Sequence, residues 1–179
     1  MNFPSVPHTP TRFPEVLVGR LAVTLLSAYY FLPASLHPEE WRFLDSVDLI
    51  IHEAGHTLFF WSGEFLQILM GSGLQVLVPL LFLGYFFIRK EFFSSALVLF
   101  WVALSLNNVS VYMADALAMQ LPLLGGEGVI HDWAYLAEHT GLGVHMLTFA
   151  SGVHGVSILL TLLAVWWSLA LCVKRSEIH

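Results

Sequence analysis

His52, Glu53 and His56 stand inside an otherwise apolar run, Leu49-Ile50-Ile51-His52-Glu53-Ala54-Gly55-His56-Thr57-Leu58-Phe59-Phe60. On a helix the two imidazoles fall one turn apart on the same face, where they can share one metal ion, and Glu53 is offset to reach water at that metal. The H-E-x-x-H spacing is the pattern of zinc hydrolases that use the glutamate as general base. The competing reading is a polar cluster that only hydrogen-bonds between helices. Ionisable groups in an apolar span are expensive to keep, however, and that weighs toward chemistry.

Two histidines leave a third ligand to find. Ser105, Asn108, Tyr112 and Asp115 recur every three or four residues and form one polar stripe on an apolar helix, which makes Asp115 the leading candidate. His131, Asp132 and His154 are the alternatives. Asp48 lies one turn before His52 and either orients that imidazole or sits among headgroups. Asn107 and Asn108 are candidate donors to a developing oxyanion.

The elements that must position these residues follow from composition. The chain is 57% hydrophobic and 11% charged with mean hydropathy +0.74, which implies an all-α polytopic membrane bundle rather than a soluble domain. The net charge is −6 with no basic tract, so no nucleic-acid partner is expected. The single cysteine, Cys172, excludes both an internal disulfide framework and a C-x-x-C metal site.

Hydrophobic runs divide the chain into an irregular proline-rich arm at 1–15 and about five spans, at 16–32, 43–63, 65–88, 92–120 and 142–173. A glycine-rich polar stretch at 121–141 reads as a surface loop or re-entrant flap anchored by Trp133, and 174–179 as a tail. Pro33-Ala34-Ser35 is a weak cleavage signal, so the first span is expected to stay as an uncleaved anchor. Five spans set the termini on opposite sides. Arg42, Arg89, Lys90, Lys174 and Arg175 then share a face against Arg12 and Arg20, which predicts a cytoplasmic C-terminus.

These residues resemble the site-2 protease class of intramembrane zinc metalloproteases. The apolar lead-in with His52-Glu53-Ala54-Gly55-His56 is similar to that family's first motif. Gly71 to Gln75 resembles its next-span motif, a glycine four residues before an asparagine. Asn107 with Asp115 resembles the third motif, an asparagine eight residues before the metal-binding aspartate. The likeness covers roughly residues 45–120, and the chain departs from it at Ser72, Gln75, Ser110 and Ala116. It implies a membrane-embedded zinc metallopeptidase in a bacterial inner membrane. His52, His56 and Asp115 would hold Zn2+, Glu53 would activate water at the metal, and the substrate would be a membrane-spanning or membrane-bound peptide.

Depth conflicts with one part of this. At 1.5 Å per residue His56 lies about 21 Å in from Arg42, whereas Asp115 lies roughly 40 Å from Lys90 on an unbroken helix. Either the fourth span is tilted or broken near Asn107 and Asn108, or another group is the third ligand. Two other functions compete with hydrolysis. One is a membrane metal or haem oxidoreductase, with Glu53-x-x-His56 as half of a di-iron site or His145 and His154 toward a haem. The other is a non-catalytic subunit of a larger membrane complex.

Overall fold

The computed structural model describes residues 13–124 and 128–173. The arm up to residue 12, residues 125–127 and the tail from 174 lie outside the described residues. The described chain is helical: α1 (Phe13–Leu36), α2 (Phe43–Leu58), α3 (Glu64–Ile88), α4 (Phe92–Ala114), α5 (Asp132–Thr140), a 3-10 turn (Gly143–His145) and α6 (Met146–Val173). The arm expected to reach residue 15 gives way to α1 three residues earlier, at Phe13.

Four helices are long and apolar enough to cross a membrane: Leu17–Leu36, Glu64–Ile88, Phe92–Ala114 and Gly143–Cys172. The span expected at 43–63 is corrected. Its helix, α2, has 16 residues and so runs about 24 Å at 1.5 Å per residue, short of a hydrocarbon core of about 30 Å. The Phe59 amide closes the helix on the Gly55 carbonyl, and Gly63 turns the chain at φ +92°. That left-handed conformation suits glycine, and it sends α3 back alongside α2.

Contacts fix the direction of each long helix. The Asn107 amide donates to the Ala34 carbonyl and His154 Nε2 donates to the Ser35 carbonyl, so α1 ends where α4 ends and α6 begins. At the opposite end Thr24 meets Cys172 and the Arg20 guanidinium lies over the Phe93 ring. Helices α1 and α4 therefore run toward one end, and α3 and α6 run away from it. Helix α2 lies alongside the first part of α3, with Gly55 against Met70 and His52 bonded to Gln75. With α1, α3, α4 and α6 as the four long apolar helices, the start of α1 and the end of α6 share an end, where five spans would have set them apart; the termini themselves lie outside the described residues.

The interior combines apolar and small polar residues. Phe100, Val102 and Leu99 pack against Ala164, while Val109 and Met113 pack against Ala137, Met146 and Ala150. Between helices, Ser35 Oγ and Thr161 Oγ1 lie 2.7 Å apart and Ser157 donates to the Ala103 carbonyl at 2.9 Å. Such bonds tie helices whose outer faces, rich in exposed leucine and phenylalanine, gain nothing by packing inward in hydrocarbon.

Helices α2 and α3 touch backbone to backbone at Gly55. A Cβ there would stand 2.0 Å from the Met70 carbonyl oxygen. Gly55→Ala must therefore push the helices apart, and overpacking of this kind destabilises by about 1–3 kcal/mol. The expected result is a clear fall in thermal midpoint in detergent, and an unchanged midpoint would refute the close contact.

Candidate metal centre

Three side chains converge where α2 faces the start of α5. His52 Nε2 and His56 Nε2 lie 2.9 and 3.1 Å from Asp132 Oδ2, and 3.1 Å from each other. Helical spacing brings the histidines together, and the first turn of α5 delivers Asp132. Zinc bonds of about 2.0–2.1 Å arranged tetrahedrally hold ligand atoms about 3.3 Å apart, so a modest expansion of this triangle fits the ion.

The second nitrogen of each ring decides what the triangle can hold. His56 Nδ1–H donates to the Gln67 carbonyl at 2.9 Å, and His52 Nδ1–H donates to Gln75 Oε1 at 3.3 Å. Both rings therefore turn an Nε2 lone pair toward the carboxylate. Asp132 Oδ2 is buried and receives no hydrogen bond among the described residues. With both rings neutral, three acceptors face one another with no donor between them, a costly arrangement in a buried site unless a metal ion or a proton on His56 joins it. A metal ion satisfies all three at once, and the outer bonds from Gln67 and Gln75 hold the rings in the ligating tautomer.

Space for the rings comes from Gly71 on α3. A Cβ there would lie 2.6 Å from His56 Nε2 and 2.8 Å from His52 Cε1. Gly71 thus has a function in the site beyond helix packing.

The leading third ligand, Asp115, stands elsewhere. Its carboxylate accepts the Gln120 and Leu121 amides, each at 2.9 Å, and a bond from His131 Nε2 at 3.2 Å. His131 Nδ1 in turn accepts the Ala134 amide and caps the start of α5. Asp115 and His131 therefore position Asp132 without joining the triangle. Helix α4 runs unbroken to Ala114, so the depth conflict resolves in favour of another ligand. His154 is bound to the Ser35 carbonyl and His145 is exposed, and the two form no haem-binding pair.

Three further expectations are corrected. Asp48 does not touch His52: it is fully buried and accepts Trp101 Nε1 at 2.7 Å, Ser105 Oγ at 2.9 Å and Asn108 Nδ2 at 3.2 Å. Those bonds lock α2 across α4. Asn107 points its amide at α1, and Asn108 spends both N–H groups on Asp45 and Asp48, so neither is free to donate to an oxyanion. Trp133 ties α5 to α3 through Ser72 Oγ at 3.1 Å.

Glu53 is exposed to a cavity of about 470 Å³ that His52, His56 and Asp132 also line. Its walls are apolar, with Leu49, Ile68, Val111, Leu121 and Ile130, and its mouth carries Glu39, Glu40 and Glu64. Residues that the sequence reading left without a role here are Gln67, Tyr112 and the backbone of α5. The only signal for Asp132 was an acid beside a histidine at the start of an amphipathic segment.

Charge at the site depends on pH. The bond to Asp132 raises His56 above the ordinary histidine range, against an opposing effect of burial. For Asp132, burial alone would raise the carboxyl, but bonds from His52 and His56 outweigh it and hold it below the usual range. In the metal-free protein the raised histidine stabilises below its unfolded pKa and loses that contribution as pH rises through the folded value. The depressed carboxylate stabilises above its unfolded pKa and loses that contribution as pH falls through the folded value. The metal-free fold is thus most stable between the ordinary carboxylate and histidine ranges. A metal must displace the His56 proton, so metal-induced stabilisation should grow as pH is raised from about 5.5 to 7.5, by up to about tenfold in apparent affinity per unit. A thermal-shift series with and without Zn2+ measures this, and a flat series would exclude His56 as a ligand.

Fold and site together define a helical bundle with four helices long enough to cross a membrane and a two-histidine, one-carboxylate group at one end. Comparison of the chain with protein-family models, curated proteins and solved structures finds no match. The functional argument therefore rests on the site's own chemistry.

Proposed function

We propose that this chain is an integral membrane zinc metallopeptidase-like hydrolase, cutting peptide bonds in membrane-associated segments. The observation that carries this is the triangle of His52 Nε2, His56 Nε2 and Asp132 Oδ2 at 2.9 to 3.1 Å, two of its members from an H-E-x-x-H helix. Three protein ligands leave a fourth position open, as a catalytic rather than a structural site requires. Zinc, when bound, supplies Lewis-acid polarisation of the scissile carbonyl and of water. Glu53 takes the proton of the attacking water and delivers it to the leaving amine. The apolar walls of the cavity suit an unwound stretch of a membrane-spanning or membrane-bound peptide, and the lipid bilayer surrounds the four spans.

Orientation follows from the corrected topology. Arg20, Arg89 and Lys90 belong to the end away from the site, and Arg12, Lys174 and Arg175, outside the described residues, adjoin in sequence the start of α1 and the end of α6. Arg42 alone belongs to the site end. The positive-inside rule then makes the far end and the C-terminus cytoplasmic, with the metal centre toward the outer face of a bacterial inner membrane.

The same donor set also serves non-haem iron(II) oxygenases, which gives redox chemistry a specific footing. Glu53 in the cavity favours hydrolysis. Elemental mass spectrometry on detergent-purified protein separates the two. The hydrolase reading expects about one zinc per chain, lost in His56→Ala. Iron in its place would favour the oxygenase, and no metal in either sample would sink both.

A further inference from the structure

We propose that the Tyr112 hydroxyl is the donor that stabilises the oxyanion in this site, an inference that rests on the hydrolase reading above. The reaction needs such a donor. As the water oxygen bonds to the scissile carbonyl carbon, its proton passes to Glu53 and the carbonyl π pair moves onto oxygen. When the C–N bond then breaks, the amine nitrogen takes the proton back from Glu53. Negative charge therefore builds on one oxygen beside the metal, where a preorganised hydrogen bond is worth most.

The two asparagines expected there are committed elsewhere. Tyr112 sits one turn beyond Asn108 on α4 and lines the same cavity as Glu53 and the triangle. Its oxygen accepts the Asp132 amide at 3.1 Å. That bond uses a lone pair and leaves the hydroxyl proton without an acceptor among the described residues. The ring is held from two sides, 5.8 Å from the His52 ring and 4.4 Å from the His131 ring between centroids. A ring so confined, anchored through the backbone of a metal-binding residue, presents its O–H at the site without reorganising. The Gln75 amide is a poorer donor, because it bonds the Nδ1 edge of His52 behind the ligating nitrogen.

The test compares two small probes on the full chain in detergent, loaded with Co2+ so that binding is read in the visible spectrum. Acetohydroxamate binds a metal through oxygens that accept a hydrogen bond. 2-Mercaptoethanol binds through a thiolate that accepts only weakly. Tyr112→Phe is expected to keep Co2+ at wild-type stoichiometry, weaken acetohydroxamate about tenfold, and leave 2-mercaptoethanol unchanged. Equal effects on both probes, or no effect on either, would overturn the proposal. So would loss of Co2+ from the variant alone, which would make Tyr112 only a support for Asp132. Failure of the wild type to bind Co2+ would instead defeat the hydrolase reading and the inference with it.

Discussion

Asp132→Asn should lose the metal and keep the fold. The substitution preserves shape but places an amide N–H opposite two Nε2 lone pairs that now face only acceptors. Above the histidine range, where both rings are neutral, the metal-free variant gains a hydrogen bond the wild type lacks, so its thermal midpoint without metal should there equal or exceed that of the wild type. Metal affinity should fall by more than the 10- to 100-fold, roughly, that follows loss of an outer partner. Asp115→Asn is the matched control. Asp115 holds His131 and the Gln120 and Leu121 amides, so its variant should stay within that 10- to 100-fold range, roughly, and lose stability instead. Isothermal titration with Zn2+ on both variants reads the difference. If Asp115→Asn abolished binding and Asp132→Asn did not, the third ligand would be misassigned here.

That pair of variants marks where sequence stopped being enough. Helical period relates residues on one element, and so His52, Glu53 and His56 were legible from spacing alone. The stripe Ser105, Asn108, Tyr112, Asp115 was equally legible as a stripe, and all four residues do face α2 or the segment that leads into α5. Spacing says nothing about what a stripe faces. Its last member meets a histidine rather than the triangle, and its third member meets the backbone of Asp132, which completes the triangle. Asp132 arrives from a segment that folds back over the bundle, at a position no period on α4 can reveal. The conflict in helix depth was the one sequence-level sign that Asp115 was misplaced.

The helical class was legible from composition, while the number of crossings was not. Residues 59–63 are apolar enough to extend α2 on paper, yet the helix closes at Phe59 and the residues through Gly63 turn the chain into α3. One helix fewer across the membrane moves Arg20 to the same end as Arg89 and Lys90. The proposal of a cytoplasmic C-terminus therefore rests on a different grouping of the charges from the one that five spans implied.

Glu53→Gln tests the chemistry without disturbing the ligands. Glu53 is exposed to the cavity and makes no hydrogen bond to the triangle, so the neutral isostere should leave zinc content at wild-type level. It should also leave folding intact, because a partly solvated carboxylate adds little stability that an amide cannot replace. What it removes is proton transfer, since an amide can orient water but cannot accept its proton. General-base catalysis contributes about 10²–10⁴-fold, so turnover of a fluorophore-quencher peptide bearing an apolar segment should fall by about three orders of magnitude. The fall should lie in kcat, with KM little changed, because Glu53 acts on the reacting water and the apolar walls bind the chain. The glutamate charge also helps keep His56 protonated in the metal-free site. The same charge attracts a dipositive zinc ion more than a single proton, so zinc affinity in the variant should fall slightly while zinc content at saturating metal stays at the wild-type level. Hydrolysis that survives Glu53→Gln with zinc in place would remove the glutamate from the mechanism. Loss of zinc together with hydrolysis would make it a structural member of the site, and neither result is compatible with the role assigned to it.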